Sequence, residues 1–200
     1  MNVRCVDRRH PGFPAPLAAI HDPPRRLYLR GSGSVEALSA PAVAIVGARA
    51  CTSYGRSVSR SLARELGAAG LVVVSGMAPG VDGEAHRGAL EAGGVTCAVL
   101  GCGIDRDYPA AHAELARRIC ERGLLVSEYE PGVEPAPWRF PARKRRSCAE
   151  TWFWLNSAVA RAGYVAKSRA GVVSVWSGTR CQYGRRGDRV GCRSEGGPVD

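Results

Sequence analysis

Glycine and serine residues recur directly after short apolar runs, and their backbone amides are well suited to bind an anion. They lie in four segments: Gly47-Ala48-Arg49, Ser75-Gly76-Met77-Ala78-Pro79-Gly80-Val81-Asp82, Gly101-Cys102-Gly103-Ile104-Asp105 and Ser127-Glu128. Glycine lets a backbone approach a phosphate closely, and N–H groups in loops and at helix N-termini bind anions. The pattern predicts an anion-binding surface.

A basic segment with aromatic residues follows these loops. It contains five cations within eight residues, interleaved with two aromatic rings: Arg139, Arg143, Lys144, Arg145 and Arg146, with Trp138 and Phe140. Cations bind phosphates and flat rings stack on bases, so the segment has the ingredients of a single-strand-binding surface. A solvated basic loop with its aromatic residues packed underneath is an equally good interpretation.

Asp82 and His86 are four residues apart on a predicted helix and could form an acid–base pair. A carboxylate that caps the helix, with a hydrogen-bonded histidine that shapes the loop, is the favoured interpretation.

Cofactor and metal motifs do not match. Gly101-Cys102-Gly103 lacks the third glycine of a dinucleotide fingerprint, and the chain contains no Gly-x-x-x-x-Gly-Lys-Ser/Thr loop. None of the eight cysteines forms a Cys-x-x-Cys pair, so reduced thiols are favoured over a zinc site. We therefore expect no cofactor and no metal, and a chain of phosphates as the ligand.

Four continuous apolar runs must position these loops: residues 43–47, 71–76, 96–101 and 124–127. Runs without polar alternation are typical of parallel strands that are buried on both faces. Helical periodicity lies between the runs, so the sequence predicts an α/β fold, a Rossmann-like, doubly wound and mainly parallel sheet with helices on both faces. The loops then meet at the carboxyl edge of the sheet. Arg26-Leu27-Tyr28-Leu29-Arg30 is predicted as a short edge strand.

The composition favours an anionic partner. The chain has 200 residues and a formal net charge of +10, which indicates nucleic acid or a membrane surface. No run is as long as a transmembrane helix, and the N-terminus lacks the apolar core of a signal peptide. We therefore expect a cytoplasmic protein without a membrane partner.

The ordered motifs resemble those of the DprA/Smf DNA-processing family. The similar segments, from about residue 11 to residue 145, are Ala19-Ile20-His21-Asp22-Pro23-Pro24, Val46-Gly47-Ala48-Arg49, Tyr54-Gly55, Ser75 to Asp82, Ala85-His86, Leu100 to Asp105, Tyr108-Pro109, Ser127-Glu128 and Phe140-Pro141-Ala142-Arg143-Lys144-Arg145. Residues 1–40 have too little apolar content to close a core, so we expect a packed N-terminal arm there. The resemblance implies a Rossmann-like DNA-binding domain (residues 41–145). Residues 146–200 depart from the family and are expected to form a divergent tail, for which disorder is one expectation.

The resemblance also implies a function without catalysis. Proteins of this family bind single-stranded DNA, protect incoming strands and help to load the RecA recombinase in natural transformation. The DNA-contacting residues it implies are Gly47, Arg49, Ser75, Gly76, Gly80, Gly101, Gly103, Phe140, Arg143, Lys144 and Arg145. The loop-shaping residues are Asp82, His86, Asp105, Tyr108 and Glu128. Ala48 and Lys144 depart from the usual serine and asparagine of the family motifs.

The sequence after Arg145 lacks the apolar helix and valine-rich strand with which the family completes its sheet and supports a homodimer. We hypothesise that this tail is a frame-shifted reading of the gene, which would leave one flank of the fourth strand unpaired. Two alternative functions stay open. One is a lysine-decarboxylase-like phosphoribohydrolase acting on nucleoside monophosphates, although its Pro-Gly-Gly-x-Gly-Thr loop is absent. The other is an inactive fragment.

Overall fold

The computed structural model describes residues 3–19, 22–137 and 139. Six strands form one sheet in this part of the chain: β1 (Val3–Asp7), β2 (Arg26–Arg30), β3 (Ala42–Ala44), β4 (Val72–Ser75), β5 (Thr96–Val99) and β6 (Leu124–Ser127). The order across the sheet is β1-β2-β6-β5-β4-β3. Strands β3 to β6 are parallel, whereas β2 is antiparallel to both β6 and β1. The predicted α/β fold with a mainly parallel sheet is confirmed.

The described helices are α1 (Ala15–Ala18), α2 (Ser53–Ala68), α3 (Val81–Glu91) and α4 (Ala113–Arg122). The three longer helices pack on the same face of the sheet. Strands β3 to β6 are neighbours in the sheet in the same order as in the chain. Right-handed crossovers therefore place all the helices that connect them on one side. Val43 and Val73 pack with Ala63 of α2 and Ala85 of α3, and further along the sheet α4 packs on Ala98.

The N-terminal residues cover the opposite face. Phe13, Leu17 and Leu38 join a buried cluster with the strand residues Val74 and Leu124. Leu17 belongs to α1 and Leu38 to a short 3-10 helix (Val35–Leu38), so among the described residues the helices on this face are short. Burial of these apolar side chains ties the arm to the sheet.

Strand β2 is not an edge strand, contrary to the sequence prediction. It lies between β6 and β1, with Tyr28 opposite Ser127 and Leu29 opposite Val126. Leu29 has no exposed surface, as expected for a strand with neighbours on both sides. The prediction that one flank of the fourth apolar run stays unpaired is therefore wrong, since β6 pairs with both β5 and β2. Among the described strands, β3 and β1 form the two edges.

Helices α2 and α3 approach closely at a glycine. A Cβ atom on Gly88 would lie 2.1 Å from the carbonyl oxygen of Arg60, so only glycine permits this contact. The Arg60 side chain then reaches across to Glu84 and Glu91 of α3. This contact positions the N-termini of α2 and α3 side by side at the carboxyl edge of the sheet.

Candidate nucleic-acid interface

The loops after β3 and β4 interlock at the carboxyl edge. Gly80 has a φ of 81°, and a Cβ atom there would lie 2.4 Å from the carbonyl oxygen of Ala48 and 2.5 Å from that of Arg49. The amide of Val81 donates to the Ala48 carbonyl at 3.3 Å. Gly80 thus allows the loop after β4 to sit directly on the segment that carries Arg49.

The Asp82 carboxylate joins the same two loops. One carboxylate oxygen accepts from the Gly47 amide at 3.4 Å and the other from the Ala78 amide at 3.3 Å. The side chain is only 5% exposed. The N-cap of α3 is Gly80, so the expectation that Asp82 caps this helix is wrong. Asp82 instead lies in the first turn and shapes both loops through their amides.

The edge amides are largely used inside the protein. Five of them donate to protein acceptors: Gly47, Ala78, Val81, Gly83 and Gly103. Asp82 is itself an anion among these N–H groups, and Glu84 adds a second acidic residue to the first turn of α3. These five amides of the expected cradle are therefore taken by the protein's own acceptors.

Ser75 is a structural residue in this fold. Its hydroxyl donates to the Ile45 carbonyl at 2.6 Å, and the residue is 3% exposed. Ser127 of β6 makes the equivalent bond to the Cys102 carbonyl, also at 2.6 Å. Each serine thereby fixes the loop of its neighbouring strand. The direct DNA contact expected of Ser75 does not fit a buried hydroxyl that already has an acceptor.

The loop after β4 contains a left-handed residue that the sequence did not reveal. Met77 has a φ of 62° and is 2% exposed. Its carbonyl oxygen accepts from Nδ1 of the buried His112 at 3.0 Å, and since a carbonyl only accepts, this nitrogen carries the proton. A non-glycine residue in this region costs about 1–3 kcal/mol, which the burial of Met77 and the His112 bond offset. The spacing of His112 from the loop gave no signal of this role.

The loop after β5 is closed by the segment that follows β6. The Gly103 amide donates to the Val133 carbonyl at 2.8 Å, and a Cβ atom on Gly103 would lie 2.6 Å from the Glu130 carbonyl oxygen. Asp105 accepts from the Gly132 amide at 2.9 Å, so Asp105 does shape a loop. Gly76 and Gly101 are buried in their loops. Gly76 and Gly101 are thus enclosed in their own loops, and Gly103 packs against the segment that follows β6.

His86 lies away from the loops. Its Nδ1 donates to the Thr96 hydroxyl at 2.7 Å, and this hydroxyl donates to the Val73 carbonyl at 2.7 Å. Thr96 is the first residue of β5, so His86 connects α3 to the start of a strand at the opposite end of the sheet. The described bonds give His86 a role at the start of β5, and its loop-shaping role and its acid–base pair with Asp82 stay predictions.

The N-terminus of α2 is the basic and aromatic part of the described edge. Arg49 and Arg56 are exposed, and Tyr54 is 63% exposed. Thr52 caps the helix by accepting from the Gly55 amide at 3.1 Å. Unlike α3 and α4, α2 has no acidic residue in its first turn, so the positive end of its dipole stays available to an anion. A second tyrosine at this edge, Tyr108 in the loop after β5, is 41% exposed.

The β2–β6 end of the edge is acidic. Glu128 and Glu130 follow β6, and the Tyr28 hydroxyl donates to a carboxylate oxygen of Glu130 at 3.1 Å. Burial raises the pKa of the Tyr28 phenol, and the Glu130 carboxylate adds to this rise. The phenol therefore keeps its proton at neutral pH and holds Glu130 in place.

The basic segment falls mostly outside the described residues. Phe140, Arg143, Lys144 and Arg145 lie in that part of the chain, so their roles stay predictions. Arg139 is described, and its guanidinium lies 5.1 Å from the centroid of the Tyr129 ring. This cation–π contact ties the start of the basic segment to the loop after β6.

The described residues show neither a metal-binding cluster nor a membrane-spanning helix. They contain no group of three or more His, Cys, Asp or Glu side chains placed to hold a metal ion. Within residues 3–19, 22–137 and 139, no helix has the length and apolar character needed to cross a membrane.

Comparisons with known proteins identify a family. Residues 4–150 match the family model described as DNA recombination-mediator protein A. DNA processing protein DprA of Streptococcus pneumoniae is 42% identical over 137 residues, which make up 66% of this chain and 46% of that protein. The X-ray structure of DprA from Streptococcus pneumoniae superposes with a TM-score of 0.67 at 37% identity, covering 74% of this chain and 51% of that chain.

A second solved structure is described as showing the unique single-stranded DNA binding mode of DNA processing protein A from Helicobacter pylori. It gives a TM-score of 0.65 at 34% identity and covers 74% of this chain and 65% of that chain. The chain spans less than half the length of the curated relatives it matches.

Proposed function

Because the chain belongs to the DNA recombination-mediator protein A family, we propose that it binds single-stranded DNA along the carboxyl edge of its sheet and acts in DNA processing during natural transformation. The observation that carries the proposal is the N-terminus of α2, where Arg49, Tyr54 and Arg56 are exposed beside a first turn without acidic residues. Cations and an exposed ring in one place are what a single strand requires.

Side chains provide the binding in this proposal. Arg49, Arg56 and the first turn of α2 hold phosphates, and Tyr54 and Tyr108 offer ring faces to the bases. Stacking of one base on an aromatic ring is worth about 1–3 kcal/mol and does not depend strongly on sequence. Phe140, Arg143, Lys144 and Arg145 of the basic segment stay predicted DNA contacts, since they lie outside the described residues.

Binding without bond cleavage fits the edge. The Ser75 hydroxyl donates to Ile45, and the Asp82 carboxylate accepts from two amides. These groups are the nucleophile and base candidates on either side of the loop after β4, at the end of β4 and the start of α3, and their bonds commit them to the fold. We therefore propose a binding protein and not an enzyme.

RecA recombinase and a second copy of the chain are proposed partners, and the cytoplasm is the proposed location. These proposals rest on the resemblance to the family. Size-exclusion chromatography with light scattering tests the homodimer. Co-sedimentation of RecA with single-stranded DNA, with and without the protein, tests RecA loading.

Anisotropy of a labelled thymine oligonucleotide over a salt series tests the DNA-binding proposal. We expect tight binding with a steep salt dependence and weaker binding to a duplex. The double variant Arg49→Ala/Arg56→Ala should flatten the slope of log K against log salt by about 1.4, since each phosphate contact on a single strand contributes about 0.7.

Arg122→Ala is the matched control. Arg122 is an exposed arginine at the C-terminal end of α4, at the opposite end of the sheet. Arg122→Ala should leave the slope of log K against log salt unchanged. If Arg122→Ala flattens the slope by half as much as the double variant, which removes two charges, general charge and not the α2 N-terminus attracts the strand. A folded protein that does not bind at any salt concentration would refute the proposed function.

A further inference from the structure

A pocket of about 450 Å³ opens at the β2–β6 end of the carboxyl edge. Because Tyr28 of β2 lies opposite Ser127 of β6, the segment before β2 and the segment after β6 meet there. The lining residues are Asp22, Pro23, Pro24, Arg25, Arg26, Tyr28, Glu128 and Glu130. This volume is within the range of about 300–1,000 Å³ that small-molecule sites occupy.

The lining combines flat apolar surface with hydrogen-bond acceptors. Pro24 is buried and Tyr28 is 9% exposed, whereas Arg25 and Arg26 are exposed. Glu130 accepts from the Tyr28 hydroxyl, and a carboxylate has further acceptor sites beyond the one that this bond uses. The pocket therefore has apolar residues, carboxylate acceptors and two guanidinium groups.

We propose that this pocket receives one base of the bound strand and prefers guanine. The inference rests on the proposed DNA binding and names a base preference for the same edge. A carboxylate accepts two parallel N–H bonds, and the N1–H and N2–H groups of guanine are two neighbouring donors. Thymine presents two carbonyl oxygens and a single N–H, so its oxygens face the carboxylates unfavourably. We expect the exposed Arg25 to meet a phosphate of the same nucleotide, whereas the Arg26 side chain bonds to the Tyr28 hydroxyl.

The distance to the α2 N-terminus agrees with one continuous strand. Three to four inter-strand spacings of about 4.8 Å separate the end of β3 from the β2–β6 end, which gives about 14–19 Å. A stacked strand rises about 3.4 Å per nucleotide, so about four to six nucleotides cover this path. A single strand that is bound at Arg49 by one end can thus place a base near its other end in the pocket.

Fluorescence anisotropy with the full chain tests the inference. The probes are thymine oligonucleotides of about twelve nucleotides, each carrying one guanine at a different position. This length lies within the binding-site sizes of about 4–16 nucleotides. Guanine at one or two adjacent positions should tighten binding about fivefold to hundredfold, the range of one good bidentate pair. Inosine, which lacks the N2 amino group, should lose most of this gain.

The double variant Glu128→Gln/Glu130→Gln should abolish the guanine preference and retain the affinity for all-thymine DNA. The glutamine oxygen can still accept from Tyr28, but its amide group places a donor where guanine also has donors. Glu130→Gln alone changes an exposed residue, so the guanine preference can be measured in this single variant if the double variant unfolds. Glu134→Gln, exposed in the same loop, is the control and should keep the preference.

Equal affinities at every guanine position would overturn the inference, as would a preference that survives in Glu130→Gln and in the double variant. In both cases the all-thymine oligonucleotide still binds, so the proposed DNA binding stands. If no oligonucleotide binds, the proposed function fails, and the base preference fails with it.

Discussion

Replacement of Gly80 by alanine tests the contact between the loops after β3 and β4. Gly80 has φ 81° and ψ −128°, a conformation that costs a residue with a Cβ atom about 1–3 kcal/mol. The new Cβ atom would lie 2.4 Å from the Ala48 carbonyl oxygen, and such overpacking costs about 1–3 kcal/mol more. Moving the loops apart also breaks the bond from the Val81 amide to Ala48, a further loss of about 1 kcal/mol.

Gly70→Ala is the matched control for this change. Gly70 has a φ of 83°, and a Cβ atom there would meet nothing within 4 Å. It costs about 1–2 kcal/mol for the positive φ, offset by about 0.4–1 kcal/mol because alanine reduces the entropy of the unfolded chain. We therefore expect a loss of about 1 kcal/mol for Gly70→Ala. The same unfolded-state offset applies to Gly80→Ala, so the contributions above leave a loss of at least about 2 kcal/mol there.

Urea unfolding followed by far-UV circular dichroism measures both free energies of unfolding. Gly80→Ala should also weaken DNA binding, because Arg49 moves with the displaced loop, whereas Gly70→Ala should not. If the two variants differ by less than about 1 kcal/mol, the close approach of these loops does not limit stability and the reasoning is refuted.

Two further predictions concern buried polar groups. Asp82→Asn should lower the free energy of unfolding by about 2 kcal/mol. The new amide group must face the N–H of Gly47 or of Ala78, and a hydrogen bond to a charged acceptor is worth about 1.5–3 kcal/mol. A free energy of unfolding, measured in urea, that changes by less than about 0.5 kcal/mol would contradict the bridging role. Burial raises the pKa of the Cys97 thiol from 9.0 to about 12, so above pH 9 the unfolded state loses this proton first and stability falls as pH rises. Between pH 8 and pH 10 the destabilisation caused by Cys97→Ala should shrink by about 1 kcal/mol, and an unchanged difference would mean that the thiol ionises alike in both states.

The apolar runs were sufficient to predict the parallel strands. Residues 72–75 and 124–127 are buried on both faces, and a run without polar alternation fits only that environment. The glycine and serine residues after each run correctly predicted that four loops meet at one edge. The acidic Asp105 was also expected to shape a loop, and it does so through the Gly132 amide.

Pairing and hydrogen-bond partners were not predictable in the same way. Arg26–Arg30 has the pattern of a strand, but its pattern does not say which strands flank it, and its place inside the sheet depends on the fold of the arm. Ser75 and His86 have side chains that suit a binding site. Their bonds to Ile45 and Thr96 arise only when distant segments come together.

The sequence by itself determined the α/β class, the loops at the carboxyl edge and the family, because the apolar runs and the order of the motifs can be identified without the structure. The tertiary structure decided which groups at that edge are bonded within the protein and which are exposed. Asp82 takes the amides of Gly47 and Ala78, whereas Arg49 and Tyr54 stay exposed. The physical reason is that every buried donor needs an acceptor, and only the folded chain shows which acceptor is within reach.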